Sequence, residues 1–326
     1  MPVAPILVTG ASGYVGSAVC AALRAEGLDV LGVDRRELPP HHPIGAREFR
    51  LCDVADPGAL RAAALPSRPA AVVHMAGSIE VATSVRDPLP TYRNNLATML
   101  SVLELAREIG IEAVVFSSSA AVYGTPASTP IPEDAPANPI NPYGASKHMG
   151  ERLLDDAAAY GVRGCSLRYF NAAGASRDGR LGERHDPETH LIPIVLRAGL
   201  GTGPPLPVYG HDFPTPDGTA VRDYVHIEDL AWAHALAVGR LLAGETPVAI
   251  NLGGGVGSSV LEVVTACETA LGLPVPRTDA PRRAGDPPIL VASIEKARRV
   301  LGWRPERSDL RTIVEDAARF ERGRGL

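Results

Sequence analysis

In the first half of the chain, short apolar runs alternate with longer stretches of helical period. Ile6-Leu-Val8, Val30-Leu-Gly-Val33, Ala71-Val-Val-His74 and Ala113-Val-Val-Phe116 are brief and apolar on both faces, the pattern of strands buried in a parallel sheet. A further strand ends at Cys52-Asp53-Val54. Between these runs, Val15, Val19, Ala22 and Leu23 share one helical face, and Gly27 stops that helix. A second helix is predicted from about Pro90, with Leu96, Leu100, Leu103 and Ala106 as its buried stripe and Gly110 as its end. Pro142 suits the position just before a helix, so Tyr143 opens another. Strand and helix in alternation predict an α/β fold with a doubly wound parallel sheet. After Phe170 the alternation breaks into Pro- and Gly-rich loops (Gly201 to Pro207, Pro214 to Gly218) and short helical pieces, which predicts a smaller α/β domain over the sheet edge. A helix carrying Leu230, Ala233 and Leu236 then leads to the strand Val248-Ala-Ile-Asn-Leu252. The two domains are therefore expected to interleave, 1–170 plus about 221–251 forming one and about 171–220 plus 252–326 the other.

The first strand runs straight into Thr9-Gly10-Ala-Ser-Gly13-Tyr14-Val15-Gly16 and a helix. Strand, glycine turn and helix form a dinucleotide fingerprint of Rossmann type, here with G-x-x-G-x-x-G spacing. Gly10 permits the tight turn, Gly13 lets backbone approach a pyrophosphate, and Gly16 lets helix and strand pack closely. The helix N-terminus meets the phosphates with free N–H groups. Asp34 ends the second strand where a ribose-binding acid belongs, which favours NAD; Arg35 and Arg36 beside it could instead hold the 2′-phosphate of NADP. Asp53, with Val54, is a candidate for the adenine amino group or, equally, a helix N-cap before Pro57. Met75-Ala76-Gly77 should line the pyrophosphate, and Asn95 is placed to touch the cofactor.

Tyr143 and Lys147 stand four apart on one helical face. An ammonium beside a phenol favours the phenolate, so the pair suits proton transfer. Of 32 basic residues only Lys147 and Lys296 are lysines, which marks Lys147 as a position where arginine will not serve. Ser117 and Ser119 end the Ala113 strand, and Ser119 meets Tyr143 across the sheet edge.

The totals exclude more than they select. A chain of 326 residues with 45% hydrophobic and 21% charged residues is an ordinary globular protein. A net charge of −5 and the lack of a Lys/Arg run offer nothing to nucleic acid. No signal peptide or apolar run of about 18 residues is seen, so no membrane association and a cytoplasmic location are expected. Cys20, Cys52, Cys165 and Cys267 are far apart and read as buried free thiols in a reducing compartment. The histidines show no H-E-x-x-H spacing, His41-His42 lies in a Pro-rich loop expected to be solvated, and no metal is expected.

The chain resembles the extended short-chain dehydrogenase/reductase superfamily and, within it, the UDP-glucose 4-epimerase family. The resemblance rests on the glycine turn, Phe116-Ser-Ser-Ser-Ala-Ala-Val-Tyr-Gly124, Pro142-Tyr-Gly-Ala-Ser-Lys147 and Leu167-Arg-Tyr-Phe-Asn171. It continues through Gly210 to His226, with its run D-F-P-T-P-D-G-T-A-V-R-D-Y, then Asn251 to Val260 and Pro281 to Asp286. It implies Ser119, Tyr143 and Lys147 as the catalytic set, tightly held NAD, and Tyr169 against the nicotinamide end. It also implies a UDP-sugar substrate, with Asn171, Arg222 and Arg283 on the phosphates, Tyr209 near the uracil, and His190, Leu191, Asp286 and Leu290 about the sugar nucleotide. Arg222 and Arg283 read equally as ion-pair partners of Asp223 or Asp286. A C2 homodimer through the helix near 90–109 and the Tyr143 helix is implied as well.

Three departures stand out. Ser78-Ile79-Glu80 replaces a cofactor-contacting lysine, His190 replaces an asparagine, and Leu290 is intermediate in size where a gate beside the sugar 2-substituent is expected. UDP-N-acetylglucosamine and UDP-xylose therefore stay open as substrates, as does a catalytically silent NAD sensor. A 4,6-dehydratase lacks its acid, because Ala120-Ala121 follows the serine.

Overall fold

The computed structural model describes residues 4–246, 248–283 and 286–324; Ala284 and Gly285 of the Pro281–Asp286 segment lie outside them. Its strands are β1 (Ile6–Thr9), β2 (Val30–Asp34), β3 (Phe49–Leu51), β4 (Ala71–His74), β5 (Ala113–Ser119), β6 (Arg163–Tyr169), β7 (Asn171–Ala173), β8 (Leu206–Tyr209), β9 (Val221–His226), β10 (Ile250–Leu252), β11 (Gly257–Ser259), β12 (Arg277–Ala280) and β13 (Ile289–Leu290). Its helices are α1 (Tyr14–Ala25), α2 (Pro57–Ala64), α3 (Val81–Arg86), α4 (Pro88–Ile109), α5 (Pro142–Asp156), α6 (Leu191–Gly199), α7 (Ile227–Leu242), α8 (Val260–Leu271), α9 (Glu295–Leu301) and α10 (Leu310–Gly323).

The doubly wound parallel sheet is present, with strand order β10-β6-β5-β4-β1-β2-β3. Every residue of β1, β2 and β4 is buried, as unbroken apolar runs require when helices cover both faces. One face packs Val19, Leu230 and Trp303 against Val8 and Val73; the other packs Leu60, Met99 and Leu154 against Leu7 and Val114. Strand order reverses between β1 and β4, so the crevice opens beyond their carboxyl ends. A second sheet joins β11, β9 and β13, with β7 beside β9, and β8 pairs with β12 in a separate ribbon. Ile192, Val195, Val263, Val264, Ile313 and Val314 form the core of α6, α8 and α10 in this half.

Two expectations need correction. The segment expected to return to the large sheet at about 221 divides: β9 pairs inside the second sheet, although its Val225 already reaches the core of the first, and α7 from Ile227 packs on the first. On α4 the buried face carries Thr91, Asn95, Thr98, Met99, Val102, Leu105 and Ala106, whereas Leu100 is 45% exposed. Small polar residues fill the close approach of α4 to α5 and the sheet, so the apolar stripe alone misplaces the buried side. Among the described residues, no helix is long and apolar enough to cross a membrane. All four cysteines are free and buried.

Candidate functional site

The glycine turn sits at the point where the sheet changes direction. Gly10 adopts φ 71°, and a Cβ there would lie 2.9 Å from the Ala76 nitrogen, so the loops after β1 and β4 touch backbone to backbone. A Cβ on Gly16 would overlap the Gly10 carbonyl oxygen, which fixes helix and strand in close packing. Gly13 caps α1 without a side-chain hydrogen bond, and the buried Ser12 hydroxyl has no partner among the described residues. A cavity of about 180 Å³ opens there, between Ser12, Gly13, Tyr14 and Arg36 on one side and Arg184 and His185 on the other. Val15 packs half-buried against the core behind it.

At the end of β2 the Asp34 carboxylate is buried and accepts N–H groups of Ser12 (3.2 Å) and Arg36 (3.0 Å), with the Arg36 guanidinium 3.7 Å away. Asp53 does not cap α2. Asp56 does, accepting from Gly58 and Ala59 (2.8 and 3.0 Å), while Asp53 closes a turn onto the Ala55 nitrogen and Val54 is buried. The Met75 and Ala76 N–H groups, expected to face a pyrophosphate, donate to Thr9 Oγ1 at 3.1 and 3.2 Å. His42 is half-buried and bonded to the Ala11 carbonyl (2.9 Å), so it braces the glycine turn and is not the solvated residue expected. These features fit NAD: a cradle too narrow for side chains, uncapped helix N–H groups, an unpartnered serine hydroxyl and a carboxylate at ribose distance in sequence.

The second group converges on the carboxyl edge of β5. Asn141 caps α5 by accepting from the Gly144 nitrogen (2.8 Å), and Pro142 occupies the first helical turn. Tyr143 is thereby set at the helix start, its own N–H donated to the buried Ser84 hydroxyl at 3.2 Å. One turn on, Lys147 is 4% exposed; its ammonium donates to the Ser117 carbonyl (2.8 Å) and lies 5.9 Å from the Tyr143 ring centre. The Ser117 hydroxyl bonds the Tyr169 phenol. Asn95 accepts from the Ser78 nitrogen (2.6 Å) and donates to Ser146 Oγ (2.8 Å), so it ties the turn after β4 to α5. A Cβ on Gly77 would stand 2.9 Å from Asn95 Oδ1 and 3.9 Å from the lysine nitrogen.

The electrostatics differ from the simple pair expected. Burial raises the Tyr143 phenol above its usual pKa, and its hydrogen bond with Ser119 only partly offsets this. Burial also pulls Lys147 down to about 8, against the pull of Glu151 one turn further on. Between about pH 8 and 10.5 the folded chain thus holds fewer protons on this lysine than the unfolded chain, and its contribution to stability rises with pH. Lys147→Met should lack that rise: urea unfolding at about pH 7 and about pH 10 should show the variant gaining on wild type at the lower pH. An identical difference at both would overturn this.

On the second-sheet side, Asn171 donates to the Asp223 carbonyl (2.7 Å), and Asp223 itself accepts three backbone N–H groups. Arg222 is paired with Asp286, the alternative left open by sequence, whereas Arg283 lies over the Tyr209 ring at 4.1 Å. His190 stands at the start of α6 ahead of Leu191, and Leu290 packs against the cluster of Val122, Tyr123 and Ile131. Sequence reasoning missed Ser84, and it missed the buried Arg168–Glu151 pair (2.7 Å) under the lysine. Their partners are far apart in the chain and carry no local pattern.

A family model described as "NAD dependent epimerase/dehydratase family" matches residues 6–253. A UDP-glucose 4-epimerase of Azospirillum brasilense is 48% identical over 324 residues, covering 97% of this chain and 92% of that one. The crystal structure of UDP-glucose 4-epimerase from Brucella ovis in complex with NAD superposes with a TM-score of 0.93 at 43% identity, covering 97% and 98% of the two chains. That of the Bifidobacterium longum enzyme with NAD+ and UDP gives 0.92 at 34% identity, covering 98% and 99%. With a match of this length, and cradle and proton-transfer groups placed as described, the chain belongs to the NAD dependent epimerase/dehydratase family, in its UDP-glucose 4-epimerase branch.

Proposed function

We propose that this protein is an NAD-dependent 4-epimerase that interconverts UDP-glucose and UDP-galactose. The observation that carries the reading is the meeting of Ser119, Tyr143 and Lys147 at the end of β5, in a chain with full-length UDP-glucose 4-epimerase relatives. NAD, when bound, accepts the sugar C4 hydride and later returns it. Tyr143 takes the proton of the 4-hydroxyl and gives it back, and Ser119 holds the same oxygen. Lys147 contributes the cation that favours the phenolate, and Gly10, Gly13, Gly16 and Asp34 hold the dinucleotide. Tyr14, Val15, Asp53, Val54, Met75, Ala76, Gly77, Asn95, Ser117 and Tyr169 belong to the same proposed cofactor surface.

In this reading Asn171, Arg222 and Arg283 hold the diphosphate, Tyr209 the uracil end, and His190, Leu191, Asp286 and Leu290 the sugar side. An arginine already stacked on Tyr209 supports the pairing of base and phosphate sites. Arg222 must share its guanidinium between Asp286 and the phosphate. Residues up to 170 with about 227–252 form the cofactor domain and the remainder the sugar-nucleotide domain. Catalysis is assigned to the cytoplasm, in keeping with four free thiols. Leu89, Leu100 and Met149 stand exposed on the adjoining helices α4 and α5, which supports a C2 homodimer through that face. A monomeric mass at micromolar concentration would remove the dimer.

Incubating the protein and NAD+ with UDP-galactose should yield UDP-glucose by chromatography. UDP-N-acetylgalactosamine and UDP-xylose should convert more slowly, because Leu290 leaves less room or fewer contacts for them. Inertness toward UDP-galactose in an NAD-loaded protein would overturn the assignment and return the silent sensor to consideration.

A further inference from the structure

Beyond β12, two adjacent arginines each lie on an aromatic ring. Strand β12 runs parallel to β8 with Ala280 level with Tyr209, and the Gly210 N–H donates to the Ala280 carbonyl at 2.8 Å. Two residues on, the Arg282 guanidinium stands 4.1 Å over the Phe213 ring, and that of Arg283 stands 4.1 Å over the Tyr209 ring. Arg283 belongs to the diphosphate end of the proposed site, and Arg282 does not.

The surroundings of Arg282 make a fixed seat. Phe213 is 5% exposed, and its N–H donates to the Gly218 carbonyl at 2.9 Å, which closes the loop under the arginine. Gly210 has φ 80°, and a Cβ there would stand 2.6 Å from Arg282 Cγ and 2.8 Å from Phe213 Cε2. The arginine stem therefore lies in a slot that only a glycine leaves open. Asp212 accepts the Arg282 Nε–H at 2.5 Å. That carboxylate is largely exposed, so the ion pair by itself contributes little. The stack on a buried ring and the close fit over Gly210 set the orientation. With a carboxylate on its edge and a ring on its face, Arg282 is taken up by the protein, whereas Arg283 gives Tyr209 only its face.

The backbone at Arg283 is held from both sides. The Asp286 N–H donates to the Arg283 carbonyl at 3.3 Å, and the Pro288 carbonyl then accepts the Val221 N–H at 2.8 Å, which returns the chain to the second sheet. On the other side, between Ala280 and Arg283, the tie to the 210–218 loop is the Arg282 side chain.

We propose that Arg282 is a positioning residue for UDP-sugar recognition, an inference that rests on the substrate reading above. Seated on Phe213, it fixes the backbone so that the next guanidinium, Arg283, meets the diphosphate beside Tyr209. It touches neither sugar nor cofactor. Its effect passes through Arg283, so affinity for the nucleotide depends on it, and the hydride and proton transfers do not.

The test is a double-mutant cycle read by binding. NAD-loaded full-length protein is titrated with UDP by calorimetry, as wild type, Arg282→Ala, Arg283→Ala and the double variant. Arg282→Ala should weaken UDP by roughly tenfold, within the range by which residues in one network couple. Once Arg283 is alanine, the same change should matter by less than about twofold. In turnover Arg282→Ala should raise KM and leave kcat within about twofold of wild type. Arg282→Lys, which keeps a cation over the ring, should recover part of the loss. Arg282 is exposed, so the fold survives its removal, and an unchanged Tm checks this. An Arg282→Ala protein that binds UDP as tightly as wild type would overturn the inference, as would an equal loss with Arg283 present and absent. Either result leaves the substrate reading in place. Wild-type protein that takes up no UDP would overturn both.

Discussion

Tyr143→Phe is expected to lower kcat by roughly 10²–10⁴-fold, the range a positioned proton-transfer group supplies, while NAD stays bound. Only the hydroxyl is lost. The backbone N–H to Ser84 and the Asn141 cap that set the start of α5 do not involve the phenol, so the helix keeps its place. Lys147 keeps its bond to the Ser117 carbonyl, so the proposed cofactor surface around Ser117 is untouched. Without the phenol, Ser119 remains as the hydroxyl beside the sugar oxygen, and a neutral serine is too weak a base to replace it. The cofactor released on denaturation should match wild type. Turnover within tenfold of wild type would move the proton transfer to another group.

Glu151→Ala should cost about 3–5 kcal/mol of stability, because it leaves a buried cation unpaired. Arg168 is 8% exposed and meets Glu151 through two nitrogens at 2.8 and 2.7 Å. Ser118 donates to the same carboxylate at 2.5 Å, and Arg168 reaches on to Tyr123 (3.0 Å) and the Glu133 carbonyl (3.1 Å). Two neutral acceptors cannot balance the charge once the carboxylate has gone. Against a total stability of about 5–15 kcal/mol, such a loss is severe, and Tm should fall by roughly 10 °C. Glu151→Met with Arg168→Met, which removes both charges, should recover much of it. A single variant that unfolds at the wild-type temperature would show the pair to be dispensable.

The parts of this molecule legible in its sequence are those whose cause is local. The glycine turn, the Asn141-Pro142 start of α5 and the one-turn spacing of Tyr143 and Lys147 each lie within a few residues. The doubly wound sheet follows from runs such as Ala71–His74 that tolerate only full burial. What escaped depends on partners brought from far along the chain. Nothing near Arg222 selects Asp286, 64 residues away, over the adjacent Asp223, whose carboxylate is already taken by Gly254, Gly255 and Ala292. The buried side of α4 is set in part by Asn95 and Thr98, whose side chains reach Ser78, Ser146 and the Ala76 carbonyl only in the folded state.

The scattered origin of the second sheet bears on how the chain emerges from the ribosome. Six strands of the large sheet are complete once Tyr169 has been made, but the outer edge of β6 waits for β10 at Ile250–Leu252. Strand β9 waits in its turn, for β11 at Gly257–Ser259 and then β13 at Ile289–Leu290. For some eighty residues of synthesis the nascent chain therefore carries an open, apolar strand edge, the kind of surface that pairs with a neighbouring chain. Translation speed and chaperone supply over that interval, more than the stability of the finished fold, should govern how much soluble protein a cell obtains.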